Sequence, residues 1–361
     1  MSAKGEVEIA FNWIYILIAG AVILLFFVGI IVQQKSASEN YLAAEVVRMM
    51  ESIFAGAGVS EKTKNIVDAS GLADYTLYFD CEEGVSKFGV QDKPGGVEDT
   101  VHPLFAPLTI QSTQLLTWSL PYNLPYKVVD FLFITSPNTQ YYVFGSDPFV
   151  DELDEEMAEF ENVEIVADFQ AYALLNPGLK YQVRVVDTTG TLSSLAFPAL
   201  LQSLPDEKVT MVAFRGTNIE FFHKEGRSWM SEGEAVPLYS LGAQDGNILE
   251  RDAARFAAVF AGSRGQYECN MEKALERVKY VTEVYLQKRE ELDLYYGRSN
   301  PTGVCQSILS SRQSGNVLVA LSNHLDYIQT CRAGGTCAII TSAQKIKDLN
   351  HELGINCIAL Y

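Results

Sequence analysis

The chain has 361 residues, enough for two or three compact units. Its residues are 48% apolar and 20% charged, so a sizeable core can form and general disorder is excluded. Asp and Glu number 45 against 27 Lys and Arg, which gives a net charge of −18. This acidic balance argues against nucleic acid as a partner and against docking on anionic lipid through a basic patch.

The first predicted element is a run of uncharged residues at 13–32. As a helix rising about 1.5 Å per residue, this run would reach about 30 Å, the thickness of a bilayer's hydrocarbon core. We therefore expect a transmembrane helix at 13–32, preceded by a cytoplasmic tail at 1–12, with the lipid bilayer as a partner. The alternatives are a buried core helix and a cleaved secretory signal, whose apolar region is usually shorter.

Apolar residues recur at helical spacing beyond this run, from Leu42 to Ile53. They predict an amphipathic stalk helix at 33–58 that continues the transmembrane helix without interruption. The expected fold is an α/β head with a mixed sheet on a long N-terminal transmembrane and stalk helix, followed by a helical C-terminal region.

The N-terminal region resembles type IV pilin-like proteins, including the archaeal ones. The resemblance rests on the half-apolar, half-amphipathic helix and on Lys4, Gly5 and Glu6, which are similar to a prepilin-peptidase site. It implies cleavage between Gly5 and Glu6 and packing of the apolar half in a filament. The bacterial pattern has a glutamate five residues into the processed chain, where this sequence has Ala10. The alternative is a permanent signal-anchor with an intact N-terminus.

From residue 75 onward the apolar pattern changes from helical spacing to alternation. Residues 75–81 and 85–90 alternate around a short turn, which predicts a β-hairpin. An acidic helix at 149–161 and a helix-like segment at 192–204 lie between further strands, which indicates an extracytoplasmic α/β head at 59–246. The further strands are expected at 128–135, 141–144, 163–167, 181–186, 209–214, 219–223 and 236–240.

The last part of the chain, 247–361, is predicted to be helical. Its helices are expected at 248–261, 272–296, 316–330 and 338–353. It carries five of the six cysteines, which are Cys269, Cys305, Cys331, Cys337 and Cys357. An even number of cysteines, two of them closing the short loop 331–337, predicts disulfides and an oxidising compartment. Reduced, buried cysteines are the alternative, and the sequence leaves the pairing and the role of Cys81 open.

One motif carries residues typical of an active site. An apolar strand ends in Asp187, which is followed by Thr189, Gly190 and Thr191. This resembles the first motif of haloacid-dehalogenase-type phosphotransferases and of P-type pumps, in which the aspartate attacks phosphorus. Thr189 stands where the phosphatases of that family have a second aspartate. The structural alternative, which we expect, is a turn in which Asp187 accepts backbone N–H groups.

The same resemblance implies partners for Asp187 farther along the chain. Thr217 would bind phosphate and Lys224 would balance charge, while Asp245 or Asp252 would hold Mg²⁺. These positions follow from their order in the sequence alone. We therefore expect no catalytic residue, no cofactor and no metal.

Taken together, the sequence predicts a single-pass protein of the cell membrane whose C-terminal domain lies outside. Its expected role is structural or adhesive, either as an anchored scaffold or as a pilin-like filament subunit. It would associate with itself or with another surface protein. The alternatives are an anchored binding protein for a small ligand or peptide and an anchored phosphohydrolase that uses Asp187.

Overall fold

In a computed structural model of the protein, three β-sheets pack with helices. The residues described are 17–30, scattered positions between 33 and 56, 64–70, 75–93, 96–160, 162–167, 182–242, 251–299, 303–310, 316–332 and 337–361. The tail at 1–12, with the processing site predicted between Gly5 and Glu6, lies outside them.

The first helix, α1, covers residues 17–30, and every one of them is uncharged and exposed. Throughout the described ranges, helices that combine the length and the apolar character needed to cross a membrane are absent. The predicted transmembrane helix at 13–32, the long stalk helix at 33–58 and the signal-anchor interpretation are therefore wrong.

Two four-stranded sheets form from residues 65–135. Their strands are β1 (Asn65–Asp68), β2 (Leu77–Glu82), β3 (Val85–Val90), β4 (Val97–Asp99), β5 (Leu104–Phe105), β6 (Thr109–Ile110), β7 (Gln114–Asn123) and β8 (Lys127–Thr135). The strand orders are β1-β7-β8-β5 and β4-β3-β2-β6. The hairpin expected around residue 83 is β2–β3, and both turn residues, Glu83 and Gly84, have positive φ. Such a turn matches the twist of the two strands that it joins.

A larger sheet of seven strands follows. Its strands are β9 (Thr139–Phe144), β10 (Val163–Val166), β11 (Gln182–Asp187), β12 (Val209–Arg215), β13 (Asn218–Glu225), β14 (Ser228–Ser231) and β15 (Val236–Pro237). The order is β10-β9-β11-β12-β13-β14, with β15 on β13. The first four strands are parallel and the rest antiparallel, so this sheet is mixed. The acidic helix α2 (Pro148–Met157) connects β9 to β10.

The helix-like segment predicted at 192–204 is instead a pair of short 3-10 turns, Leu192–Ser194 and Ala199–Leu201. Pro198 explains the difference, because a proline inside a helix lacks an N–H donor and its ring clashes with the preceding turn. The apolar side chains of the segment, among them Leu192 and Leu201, are still buried against the large sheet.

The helices of the C-terminal part pack against one another and against the sheets. They are α3 (Ala253–Phe260), α4 (Arg264–Ser299), α5 (Val304–Ser310), α6 (Val317–Arg332) and α7 (Ile339–Asn356). The long helix α4 contacts both α6 and the sheet strands β2 and β8. In the largest core, Phe133 and Phe221 of the sheets pack together with Phe256 of α3 and Met271 of α4. Residues on both sides of the boundary expected at 246/247 thus share one core.

Candidate functional site

Asp187 ends β11, at the place where the strand order of the large sheet reverses between β9 and β11. In open α/β sheets, the crevice at such a place commonly binds ligands. Here the loops that follow the two strands close on each other. Thr188 N–H donates to Phe144 O over 2.9 Å, and a side chain at Gly145 would collide with Thr188 Oγ1. The chain itself therefore fills this crevice.

The Asp187 carboxylate is fully buried, and both of its oxygens accept hydrogen bonds from the following turn. Oδ1 accepts from Thr189 N–H at 3.0 Å, from Thr189 Oγ1 at 2.7 Å and from Gly190 N–H at 3.0 Å. Oδ2 accepts from Leu192 N–H at 2.7 Å. An aspartate that attacks phosphorus has to present an oxygen to its substrate. Asp187 presents none, so its contacts are those of a residue that stabilises a turn.

Lys224, expected to balance charge at Asp187, lies toward the other end of the sheet. Asp187 is opposite Ala213 and Ala213 is opposite Glu220, so Lys224 is four residues farther along β13, or about 13 Å. Lys224 is buried, donates to Leu204 O at 2.8 Å and pairs with Asp206. The structure thus uses Lys224 as an internal cation far from Asp187.

The other expected partners of Asp187 are also dispersed. Thr217 is exposed in the turn between β12 and β13, and Asp252 caps the start of α3 by accepting from Arg255 N–H at 3.3 Å. Asp245 lies outside the described residues. Among those that are described, His, Cys, Asp and Glu form no group of three that could hold a metal ion.

The acidic run around α2 takes part in ion pairs. Arg251 binds Glu155 at 2.8 Å and Glu156 at 3.4 Å, and Arg255 binds Asp147 at 3.3 Å. These pairs connect α2 to the first turn of α3. Acids of this run therefore bind arginines of the same chain.

All six cysteines form disulfides. Cys331 bonds to Cys337, the pair that the sequence predicts from its short loop. Cys81, whose role the sequence leaves open, bonds to Cys269 with a Cα–Cα distance of 5.8 Å and so joins β2 to α4. The third bond, Cys305–Cys357, joins α5 to the residue after α7. Complete pairing of this kind is typical of an oxidising compartment.

Sequence reasoning missed three buried cations among the described residues, which are Lys273, Arg184 and Arg289. Lys273 of α4 donates to Ser86 Oγ at 2.8 Å, Asp99 O at 2.8 Å and His102 O at 2.7 Å, and burial lowers its pKa to about 8. In the sequence, Lys273 lies at helical spacing from other polar residues. That pattern is typical of a solvent-exposed helix face, so it does not indicate burial.

The second missed cation is Arg184, and its position in the sequence does carry a signal. It is the one charged residue of β11 before Asp187, and apolar Val183, Val185 and Val186 surround it. Its guanidinium donates to Ala258 O at 3.1 Å and Val259 O at 3.2 Å, in the last turn of α3. A cation at this end of a helix satisfies carbonyls that have no partner within the helix.

The exposed apolar surface of α1 has no structural role in the rest of the described fold. Exposed fractions are 67% at Leu17, 69% at Leu25 and 66% at Phe26, and no residue of the helix is buried. Around Gly20 and Gly29 an added Cβ would meet no atom within 4 Å. A helix that is apolar on every face is normally covered on every face. This surface is therefore the candidate interaction site.

Comparisons with known proteins identify no relative. No family model matches the chain, and neither a curated protein nor a solved structure matches it. The resemblance of the N-terminal residues to pilin-like proteins and that of the Asp187 motif to phosphotransferases therefore have no known relative to support them. Function has to be inferred from the geometry of the chain itself.

Proposed function

We propose that this protein is an extracytoplasmic structural subunit that assembles by packing its α1 helices together, as pilin-like filament proteins do. The observation that carries the proposal is the full exposure of α1, a helix without a charged residue on any face. Burial of apolar surface contributes about 25 cal/mol per Å², so such a helix associates strongly with any apolar surface that surrounds it.

The occupant of this surface follows from its shape and composition. A bundle of similar helices covers a helix on all sides, and other copies of the chain supply the same uncharged helix. We infer that copies of the same chain are the partner.

The composition of α1 suits close packing of helices. Ala19, Gly20, Ala21 and Gly29 place small side chains among bulky ones. Small residues let two helix backbones approach closely, and the bulky residues then fill the space beside them. The open surroundings of Gly20 and Gly29 leave room for this approach.

The disulfides support the extracytoplasmic location. Three bonds use all six cysteines, and two of them join segments far apart in the sequence, 188 and 52 residues. Disulfides of this kind persist outside the reducing cytosol. They also stabilise a subunit that functions beyond the reach of cellular chaperones.

The test compares two leucines of equal exposure. Leu24 in α1 and Leu294 in α4 are each 63% exposed, so Leu24→Glu and Leu294→Glu introduce the same charge at similarly accessible sites. Purified, oxidised full-length protein is examined without detergent by light scattering and negative-stain microscopy. We expect the unmodified protein and the Leu294→Glu variant to form oligomers or filaments, and the Leu24→Glu variant to disperse.

Two results would overturn the proposal. One is an unmodified protein that stays monomeric and enters lipid vesicles instead. The other is equal assembly of the two glutamate variants, because assembly would then not depend on α1. Near-UV circular dichroism on each variant shows whether the fold is retained.

Processing gives an independent readout. Terminal sequencing of the native protein should find Glu6 as the first residue if the chain is treated as a prepilin. Gly5→Leu should then block both the cleavage and the assembly. An intact N-terminus in assembled material would remove the pilin-like part of the proposal and leave self-association.

A further inference from the structure

The outermost strand on one side of the large sheet is β14 (Ser228–Ser231). It pairs with β13 on its inner side, and no strand of the described residues pairs with its outer side. Ser228, Met230 and Ser231 are exposed. A strand at the edge of a sheet presents unpaired N–H and C=O groups, which form a template for a further strand.

The hydrogen bonds of β14 show which backbone groups point outward. Glu232 N–H donates to Phe221 O over 2.9 Å, so these two residues form a hydrogen-bonded pair. Bonded and non-bonded pairs alternate along antiparallel strands. Counted along the register of β13 and β14, the N–H and C=O groups of Trp229 and Ser231 therefore point away from β13.

Strand β14 lacks the features that normally prevent pairing at an edge. Such strands usually carry a charged residue, a proline or a β-bulge. Residues 228–231 include neither a charge nor a proline, and their register with β13 is regular. At the opposite edge of the sheet, β10 contains Glu164. The two edges thus differ in their protection.

The two ends of β14 carry opposite charges. Arg227 lies in the turn before the strand, whereas Glu232 and Glu234 follow it. Arg227 and Glu234 are exposed, and neither forms an ion pair with a described residue. Glu232 accepts from Arg264 N–H at 2.8 Å. A strand that is basic at one end and acidic at the other complements an antiparallel copy of itself.

We propose that β14 pairs antiparallel with β14 of a second copy of this chain, about a two-fold axis at Met230, and so joins two seven-stranded sheets into one. In this register Trp229 of each copy is opposite Ser231 of the other, and all the outward backbone groups find partners. Met230, which is 45% exposed, meets its counterpart at the axis. The same patch serves both copies, as a two-fold contact requires.

This register also brings the charged ends together. Arg227 of one copy lies opposite Gly233 of the other, and the neighbours of Gly233 are Glu232 and Glu234. Successive residues of a strand are about 3.3 Å apart, so an arginine side chain reaches either carboxylate. None of these residues belongs to α1, so the contact goes beyond assembly through α1 and does not depend on it.

Two exposed apolar residues at opposite edges of the sheet provide matched variants. Met230 in β14 is 45% exposed and Ile165 in β10 is 44% exposed. Sedimentation of the full-length, oxidised Leu24→Glu protein at physiological ionic strength should find a dimer. Adding Met230→Glu places like charges opposite each other and should raise the dissociation constant at least tenfold. Adding Ile165→Glu should leave it within twofold.

Charge reversal separates the contact from a general loss of stability. Arg227→Glu makes both ends of β14 acidic, so it should also raise the dissociation constant at least tenfold. Combining Arg227→Glu with Glu234→Arg exchanges the charges of the two ends and should restore the dimer. A variant that is merely less stable would not be rescued in this way.

Amide hydrogen exchange gives a readout that does not require α1 to be silent. The N–H groups of Trp229 and Ser231 should exchange more slowly as the protein concentration rises, because pairing protects them. If the Leu24→Glu protein still forms large assemblies, assembly through α1 is refuted, and exchange at these two residues alone decides on the β14 contact.

Three results would overturn the proposal. The first is a Leu24→Glu protein that remains monomeric at high micromolar concentration. The second is an equal effect of Met230→Glu and Ile165→Glu, which would show that dimerisation does not distinguish the two edges. The third is exchange at Trp229 and Ser231 that is independent of protein concentration.

Discussion

Two regions of the molecule shield a basic group from solvent, and they complete its hydrogen bonds differently. Between α4 and the β2–β3 hairpin, Lys273 donates to three oxygens of the chain, beside the Cys81–Cys269 disulfide. Between α2 and the start of α3, Arg251 binds two carboxylates, yet its buried Nη1 has no partner among the described residues.

The difference separates a complete set of hydrogen bonds from an incomplete one. A buried donor that has its acceptors contributes to stability, whereas a buried donor that lacks one is a cost to the fold. Lys273 therefore stabilises the contact between α4 and the hairpin through three hydrogen bonds. At Arg251, the two ion pairs with α2 offset the cost of an Nη1 that has no partner among the described residues.

The largest expected effect tests the contact between α4 and the β2–β3 hairpin. Replacing Cys81 and Cys269 by serine opens a loop of 188 residues, and chain-entropy arguments give a loss of about 5 kcal/mol in the free energy of unfolding. Replacing Cys331 and Cys337 is the control, because that loop is short and the same argument gives about 2 kcal/mol. Urea unfolding of both variants measures the two losses. Equal losses would show that the Cys81–Cys269 bond does not constrain the unfolded chain as its span implies.

A second test concerns His324 of α6, which is fully buried and lies 2.7 Å from Ser342 Oγ through Nδ1. Burial lowers its pKa from 6.5 to about 4. Between these two values the unfolded chain binds a proton that the folded chain does not. Stability is therefore complete above pH 6.5 and is lost as the pH falls toward 4, by up to about 3 kcal/mol.

Urea unfolding from pH 7 to pH 4 checks this dependence. His324→Gln should flatten it, whatever that variant does to stability at pH 7. His351→Gln is the control, since His351 is exposed on the neighbouring helix α7, and it should keep the dependence of the unmodified protein. An unchanged slope in His324→Gln would show that other groups cause the acid sensitivity.

The smallest expected effect concerns the turn at Asp187. Asp187→Ala removes the acceptor for three N–H or O–H groups and for the buried Leu192 N–H, and we expect a loss of about 2 kcal/mol. Asp154→Ala, at an exposed acid of α2, should stay within about 0.5 kcal/mol. Thermal unfolding compares the two. Hydrolysis of a phosphomonoester that requires both Mg²⁺ and Asp187 would restore the phosphotransferase interpretation.

Local patterns in the sequence predict many elements of this fold. The β2–β3 hairpin and strands β8 to β13 have clear alternation and turn residues, and α4, α6 and α7 have helical spacing. Strand β7 was not predicted, because Pro121 lies within it and a proline argues against a strand interior.

The candidate surfaces show the same limit at longer range. Strand β14 is only four residues long, and the sequence analysis predicts no strand there. Only the strand order of the large sheet leaves it at an edge. Conversely, the residues around Asp187 are adjacent in sequence and suggest an active site, whereas their hydrogen bonds serve the turn.

The disulfides also determine how the protein responds to a pull on its ends. A force applied to the two ends passes through the bond between Cys81 and Cys269, whose sequence separation is 188, and bypasses the residues between them, including the large sheet. Those residues would otherwise release about 600 Å of chain on unravelling. The bond between Cys305 and Cys357, whose sequence separation is 52, shields the residues between them in the same way. Under tension the oxidised protein can therefore lengthen only through the residues outside these two loops.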